Sequence, residues 1–279
     1  MKQFFILTAF LLTTFMLFAQ DDLPLQTDEA QSQGGGDLFL QLNEVGHTQG
    51  DLLLRANEAY AQSDFQSAAG LYEELLKTNG ESATVYYNLG NSYYKLNKTA
   101  LSILNYERAL LFDPGNKDIR FNLEVARLKA VDRIETVDDF FLTEWLRDIQ
   151  NLLSTNAWSK FSIACFILLI GCLFLFFFSR MIFLKKLGFF AGLGLLICVV
   201  FGNFFAYNQK TKLTQRNTAI VFAPTVTIKS SPDSSGTDLF ILHEGTKVKL
   251  KNNRLGDWNE VETADGNVGW IKRSEIEVI

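Results

Sequence analysis

The chain has 279 residues, enough for two modest domains, and 48% of them are hydrophobic, a high share for a soluble protein. The formal net charge is −5, and the sequence contains no basic block. Because nucleic-acid binding needs clustered positive charge, we expect no nucleic-acid partner.

The N-terminal segment is typical of an exported protein. Residues 1–19 consist of an early lysine, a long apolar run and a final alanine, which predicts a secretory signal peptide. An uncleaved anchor is the alternative, because bulky Leu17 stands where a small residue is preferred before cleavage. Residues 20–50 are acidic, rich in Gln and Gly and weakly patterned, so they predict a disordered leader.

An internal repeat begins at about residue 51. Small or aromatic residues recur 34 positions apart in three pairs, which are Ala56 and Gly90, Ala68 and Ser102, and Tyr72 and Tyr106. A period of 34 residues with helix–turn–helix patterning is the tetratricopeptide signature. The sequence therefore predicts a tetratricopeptide-repeat domain over 51–134, in which KDIRFNLEVARLKAVD begins a third unit. A helix that runs from Arg120 toward Ile134 is expected to cap the remaining hydrophobic face.

Gly90 lies inside a predicted helix, where glycine costs about 1 kcal/mol relative to alanine. We expect close helix packing to offset this cost, because larger side chains at Gly90 and Ser102 would hold two crossing helices apart. Tyr86, Tyr93 and Tyr106 are then expected to be wedges in the core between the paired helices.

The first helix of each repeat lines the concave face of such an array. Six residues are predicted to form a peptide-binding groove there: Leu53, Asn57, Tyr60, Tyr87, Asn91 and Tyr94. The two asparagines can hydrogen-bond the backbone of an extended peptide, with the tyrosines along its path. A purely structural role is the alternative. Asp118 and Asn122 stand where carboxylate-clamping repeats carry Lys and Arg, which disfavours a C-terminal carboxylate as the ligand.

Residues 135–158 are predicted to form an amphipathic juxtamembrane helix. Apolar residues recur there at helical spacing, at Phe141, Leu142, Trp145, Leu146, Ile149, Leu152 and Leu153. This stripe can lie in the membrane interface or pack back on the repeats, and the sequence does not decide between the two.

Two uncharged apolar segments, 161–178 and 187–207, are each long enough to cross a bilayer core of about 30 Å. The connector 179–186 carries three basic residues and no acid: Arg180, Lys185 and Lys186. The positive-inside rule therefore places the connector in the cytoplasm and both flanking regions in the periplasm, in agreement with the signal peptide. Neither segment contains Asp, Glu, Lys, Arg or His, so we predict an anchor in the lipid bilayer and no transport function.

Gly188 and Gly192 form a small-xxx-small pair in the second apolar segment. Close packing within the hairpin explains such a pair. Dimerisation through the same face is the alternative.

The pattern changes at residue 217 to short β-branched and aromatic runs separated by turn residues. Residues 217–279 therefore predict a small all-β barrel of five or six strands that resembles the bacterial SH3-like domain. In that fold Trp258 and Trp270 are expected to brace the barrel. The expected architecture is thus multidomain: an all-α tetratricopeptide-repeat solenoid, a two-helix transmembrane hairpin and an all-β SH3-like barrel.

The sequence offers no catalytic constellation. Its two histidines, His47 and His243, lie in the leader and in a predicted turn, without a nearby Cys or a metal-ligand spacing. We therefore expect no enzymatic activity, no cofactor and no metal.

The order of these parts, with VYYNLGNSYYKL, YERALLFDPGNKDIRFNLEVAR and LHEGTKVKL, resembles E-type Bat proteins of the Bacteroides aerotolerance family over residues 51–279. The resemblance implies an inner-membrane protein of Bacteroidota made alongside Bat-type proteins with von Willebrand factor A domains and an AAA ATPase of the MoxR type. From the predicted modules we expect a scaffold that presents periplasmic repeat and SH3-like domains to partners, and the resemblance places it in an aerotolerance or envelope-stress complex. An envelope anchor or sensor whose SH3-like domain binds peptidoglycan is the alternative.

Overall fold

A computed structural model describes residues 50–132 and 141–279 of the chain. The predicted signal peptide 1–19 and residues 20–49 of the predicted leader lie outside the described residues, as do residues 133–140. All the described residues belong to one compact unit, Thr48–Ile279.

The repeat region consists of five consecutive helices. They are α1 (50–61), α2 (Phe65–Asn79), α3 (Ala83–Lys95), α4 (Thr99–Phe112) and α5 (Lys117–Arg127). Side-chain caps fix two of the starts, because Asp64 accepts a hydrogen bond from Ser67 N and Asn116 accepts one from Ile119 N. Helices α1 and α2 form the first unit, α3 and α4 the second, and α5 opens the third.

The predicted continuation of the last helix toward Ile134 is wrong, because α5 ends at Arg127. After it the chain tightens into a turn, in which Lys129 N donates to Ala126 O and Ala130 N to Arg127 O. This turn brings Asp132 to the C-terminal sheet, where its carboxylate accepts a hydrogen bond from His243 N at 2.7 Å.

Gly90 lies at the predicted close crossing of α3 and α4. A Cβ atom built on Gly90 would lie 2.7 Å from ring carbons of Tyr106, so no side chain fits there. Ser102 Oγ donates to Gly90 O at 3.0 Å across the same contact. Tyr86, Tyr93 and Tyr106 are buried as predicted, with exposed fractions of 6%, 6% and 1%.

Three further helices follow: α6 (Phe141–Gln150), α7 (Thr155–Phe178) and α8 (Ile182–Gln215). Within the described residues, α7 and α8 are the two helices long and apolar enough to cross a membrane. They pack closely as a hairpin, since a Cβ atom on Gly188 would lie 2.8 Å from Cys172 O. Gly188 is buried against α7, so its small size is explained within one chain.

The C-terminal region is an antiparallel sheet of seven strands. They are β1 (Thr218–Val221), β2 (Thr225–Lys229), β3 (Asp238–His243), β4 (Lys247–Leu255), β5 (Trp258–Glu262), β6 (Val268–Lys272) and β7 (Ile276–Val278). The strand order is β3-β2-β6-β5-β4-β1-β7, so the sheet is open with β3 and β7 at its edges. The predicted closed barrel of five or six strands is therefore not confirmed.

Trp258 and Trp270 do not occupy the core of the sheet. Both are half-buried, and they alternate along β5 and β6 with the buried residues Val261 and Ile271. Side chains alternate between the two faces of a strand, so the tryptophans lie on the face opposite the core. The core of the sheet is instead built from aliphatic residues such as Val221, Ile228 and Ile271.

The sheet and the repeats share one hydrophobic cluster. Ile220 of β1 and the C-terminal Ile279 are buried in the cluster that contains Ile103 and Tyr106 of α4. Because α7 leads away from the repeat side and α8 returns to the sheet, the repeats and the sheet lie at the same end of the apolar hairpin. The sequence predicted two separate modules, and the structure joins them into one body.

Candidate functional site

The predicted groove residues take part in a hydrogen-bond pattern that recurs in both complete repeats. Asn57 Oδ1 accepts a hydrogen bond from Tyr72 Oη at 2.7 Å, and Asn91 Oδ1 accepts one from Tyr106 Oη at the same distance. The next repeat adds a donor in each case. Asn88 Nδ2 lies 3.5 Å from Asn57 Oδ1, and Asn122 Nδ2 lies 3.0 Å from Asn91 Oδ1.

This asparagine–tyrosine pattern links the two helices of a repeat to the first helix of the next one. Asn122 also donates to Tyr87 Oη at 2.9 Å. The side-chain oxygens of Asn57 and Asn91 thus have the structural role that was the alternative to peptide binding, because they hold helices of the repeats together. The contributions of Asn88 and Asn122 were missed from the sequence, although both asparagines precede a leucine at the same place in the 34-residue period.

The structure brings the three predicted tyrosines together. Tyr60, Tyr87 and Tyr94 all lie close enough to Tyr106 to raise the pKa of its hydroxyl, although burial is the main cause of that rise. Burial and the neighbouring Tyr87 also raise the pKa of Tyr60. These two phenols therefore remain protonated and can donate hydrogen bonds at neutral pH.

The amide nitrogens of the two groove asparagines remain available. Across residues 50–132 and 141–279, neither Asn57 Nδ2 nor Asn91 Nδ2 donates a hydrogen bond. Asn57 is exposed, while Asn91, Leu53 and the three tyrosines are partly buried. The carbonyl groups of an extended peptide can therefore accept hydrogen bonds from these two side-chain nitrogens. The oxygen of each asparagine is already held by a tyrosine of the same repeat.

One cation borders this surface. Lys129 Nζ lies 3.7 Å from the centre of the Tyr94 ring and donates to Asn97 Oδ1 at 3.1 Å. The six predicted groove residues themselves contain no charged side chain. The surface thus offers aromatic faces and amide donors rather than a cluster of cations.

A family comparison bears on these helices. A tetratricopeptide-repeat family model matches residues 53–118. The match covers most of α1, all of α2, α3 and α4, and the first two residues of α5. It confirms the predicted repeat type over this range, and tetratricopeptide repeats are typical protein–protein interaction modules. A search of curated proteins found no match.

A second polar cluster lies at the junction of the repeats and the sheet. Glu107 of α4 is buried and accepts hydrogen bonds from Arg127 at 2.5 Å and from Lys247 of β4 at 2.7 Å. Burial alone would raise the pKa of Glu107, but Lys247 and Arg127 hold it below its ordinary value. The carboxylate is therefore charged at neutral pH and stabilises the contact between the two parts.

Asp132 anchors the other side of this junction. Its carboxylate accepts hydrogen bonds from His243 N and Thr246 Oγ1 at 2.7 Å each, and Asp132 Oδ1 lies 2.7 Å from His243 Nδ1. Despite its partial burial, the Thr246 and His243 contacts lower the pKa of Asp132. The sequence placed His243 in a turn without a partner, so this pair was missed.

Within the described residues, neither the cavity at the junction nor the acidic side chains form a recognisable catalytic site. A cavity of about 420 Å³ opens at the junction, lined among others by Leu76, Leu101, Arg108 and Phe222, and it lies away from the predicted groove. Within the described residues, no group of three or more His, Cys, Asp or Glu side chains could hold a metal ion. The expected lack of enzymatic activity stays a prediction.

Proposed function

We propose that this protein is a membrane-anchored adaptor whose tetratricopeptide groove binds an extended segment of a partner protein. The observation that carries this proposal is a pair of amide nitrogens on one aromatic surface, Asn57 Nδ2 and Asn91 Nδ2, which donate no hydrogen bond within the described part of the chain. Their oxygens are held by Tyr72 and Tyr106, so the donors are oriented before a ligand arrives. Such pre-organisation reduces the entropic cost of binding.

The same geometry indicates the chemistry of the ligand. The backbone carbonyls of an extended peptide accept from the two asparagines, and its apolar side chains contact Tyr60, Tyr87 and Tyr94. The six groove residues carry no cation, and the bordering Lys129 already contacts the Tyr94 ring and Asn97 Oδ1. An internal peptide segment therefore fits this surface better than a terminal carboxylate.

Membrane anchorage through α7 and α8 is part of the proposal. Both helices expose apolar side chains around their middle, including Ile167 at 63% and Val200 at 60%. Such surfaces are costly in water and suited to lipid. The basic connector favours a cytoplasmic position for the hairpin turn and a periplasmic position, at the bacterial inner membrane, for the repeats and the sheet.

The resemblance to E-type Bat proteins supports a choice of partners. Bat-type membrane proteins with von Willebrand factor A domains are the candidates, within an aerotolerance or envelope-stress complex.

The second candidate function is an SH3-like role for the sheet, with peptidoglycan as its ligand. Ile220 and Ile279 of the sheet region are buried together with α4, so sedimentation with purified sacculi should use the whole chain. No enrichment of the chain with the sacculi would remove that candidate.

The groove can be tested without disturbing the fold. Asn57→Asp with Asn91→Asp keeps both oxygen acceptors and removes both donors. The matched control, Gln62→Glu and Gln66→Glu, makes the same amide-to-carboxylate change at two exposed positions outside the groove. Crosslinking in native membranes should capture a partner with the wild type and the control but not with the groove variant. Equal capture by all three proteins would contradict binding through the asparagine donors.

A further inference from the structure

Helix α6 exposes its apolar stripe. Phe141 is 67% exposed and Trp145 60%, and Leu146 is exposed as well. With Ile149 these residues fall within an arc of about 140°, at about 100° per residue of an α-helix. The exposed acids of the helix, Glu144 and Asp148, lie outside the arc. The alternative in which this stripe packs back on the repeats is therefore not what the structure shows.

The C-terminal end of α6 is fixed to the apolar hairpin. Ile149 packs against the buried cluster of Trp158, Phe205 and Ala206. Two side chains cap the helix, since Trp158 Nε1 and Gln209 Nε2 both donate to Gln150 O, at 2.8 and 2.7 Å. The exposed stripe thus continues directly into the apolar surface of α7 and α8.

The start of the uncharged part of α7 and an exposed tyrosine on α8 mark the depth of a membrane interface. Trp158 lies three residues, or about 4.5 Å, before Phe161, where the uncharged part of α7 begins. On α8, Tyr207 is 62% exposed at the end of the matching uncharged part. Tyr is enriched at membrane–water interfaces, and Trp158 is buried where it caps α6, so α6 ends at the level where the headgroups would lie.

We propose that α6 lies in the membrane interface with Phe141, Trp145 and Leu146 inserted among the lipids of the repeat-side leaflet. The proposal rests on the membrane-spanning hairpin of the proposed function. The occupant of the stripe is lipid because the stripe is continuous with the surface that the hairpin presents to the bilayer. Helices of this kind insert their apolar face about 5–10 Å into the headgroup region.

Such an insertion also orients the repeats on the membrane. The turn after α6 contacts the loop between α4 and α5. A Cβ atom built on Gly115 of that loop would be 2.9 Å from Asn151 O and 3.1 Å from Leu152 O. This close approach packs the loop before the third repeat helix against the turn that follows α6. The groove is therefore held at a set orientation to the membrane surface.

Single fluorophores can measure the depth of α6 in the full-length protein. The native cysteines Cys165, Cys172 and Cys198 are replaced by alanine, and one new cysteine is labelled with an environment-sensitive dye. Trp145→Cys and Phe141→Cys report on the stripe, and Glu144→Cys is the matched control on the polar side of the same helix. The protein is reconstituted in phosphatidylcholine and phosphatidylglycerol vesicles with lipids brominated near the headgroup.

We expect a blue shift and loss of emission for the dyes at 145 and 141, and much smaller effects at 144. A fourth variant, Leu168→Cys in the middle of α7, separates the two proposals, because lipids brominated near the chain end must quench it if the hairpin spans the bilayer. Quenching at 168 with equal, weak quenching at 144 and 145 would overturn the interfacial position of α6 alone. No quenching at 168 would overturn the membrane hairpin and with it this inference.

Discussion

Asn122 Nδ2 donates a hydrogen bond to Asn91 Oδ1 at 3.0 Å, across the boundary between the second and third repeats. The same oxygen accepts from Tyr106 Oη within the second repeat. One amide oxygen thereby couples three helices, α3, α4 and α5. The pattern recurs one period earlier at Asn57, with a longer contact to Asn88.

Two replacements of Asn91 test whether its side-chain oxygen, as the acceptor for Tyr106, contributes to stability. Asn91→Ala leaves the buried Tyr106 hydroxyl without its acceptor, which should lower the free energy of unfolding by about 1–3 kcal/mol. Asn91→Asp keeps an oxygen acceptor and should retain most of the stability. Denaturant unfolding of the purified protein in detergent measures both. Equal losses for the two variants would show that the acceptor is not what stabilises this contact.

Gly90→Ala tests the close helix crossing. Alanine favours a helix over glycine by about 1 kcal/mol, but the new methyl group would overlap the Tyr106 ring. We expect a net destabilisation of about 1–3 kcal/mol from overpacking. Gly70→Ala is the control, because Gly70 lies within α2 with no atom near its missing Cβ. That variant should be as stable as the wild type or more so, and a loss of stability there comparable to that of Gly90→Ala would contradict the packing explanation.

Glu107→Gln tests the junction between the repeats and the sheet. Removing the charge leaves Arg127 and Lys247 without their buried partner, at a cost of about 1–3 kcal/mol. The cost stays below that of a fully buried ion pair because about two-fifths of each cationic side chain is exposed. Glu124→Gln is the control, since Glu124 also pairs with Arg127 but is 65% exposed. Thermal unfolding in detergent should rank the control close to the wild type.

The pH dependence of stability provides a second test of Glu107. Its folded-state pKa lies below its ordinary value, so ionised Glu107 stabilises the fold above the unfolded pKa of about 4.3. That contribution is lost as the pH falls through the folded-state pKa. Glu107→Gln should therefore unfold with a weaker dependence on pH in this acidic range, measured by thermal scans at several pH values. An unchanged dependence would mean that Glu107 has the same pKa in both states.

Much of the helical architecture could be predicted because its signals are local. The 34-residue period identifies the repeats through Gly90 and Tyr106, and composition alone identifies α7 and α8. The contacts between distant segments have no such signal. Glu107 and Lys247 are 140 residues apart, and each looks like an ordinary surface charge in its own segment. The same holds for Asp132 and His243, whose pairing depends on how the sheet docks on α4.

The sequence predicted which helices carry the two groove asparagines but not their hydrogen-bond partners, and peptide binding by these residues stays a prediction. Spacing placed Asn57 and Asn91 on the first helix of each repeat, whereas the acceptor role of their oxygens depends on tyrosines 15 residues away on the facing helix. The sequence also could not show that the sheet is open. Turn residues indicate where strands begin and end, but not whether the edge strands β3 and β7 pair with each other.

The most direct test of the central claim, that the repeats and the sheet lie together on the periplasmic side of the membrane, is labelling with a membrane-impermeant maleimide in intact spheroplasts. In the cysteine-free chain, Arg55→Cys reports on the repeats, Asp257→Cys on the sheet and Met181→Cys on the hairpin turn, all at exposed positions. We predict that the cysteines at 55 and 257 react in intact spheroplasts and that the one at 181 reacts only after permeabilisation. Different reactivity at 55 and 257, or labelling at 181 in intact spheroplasts, would contradict this arrangement.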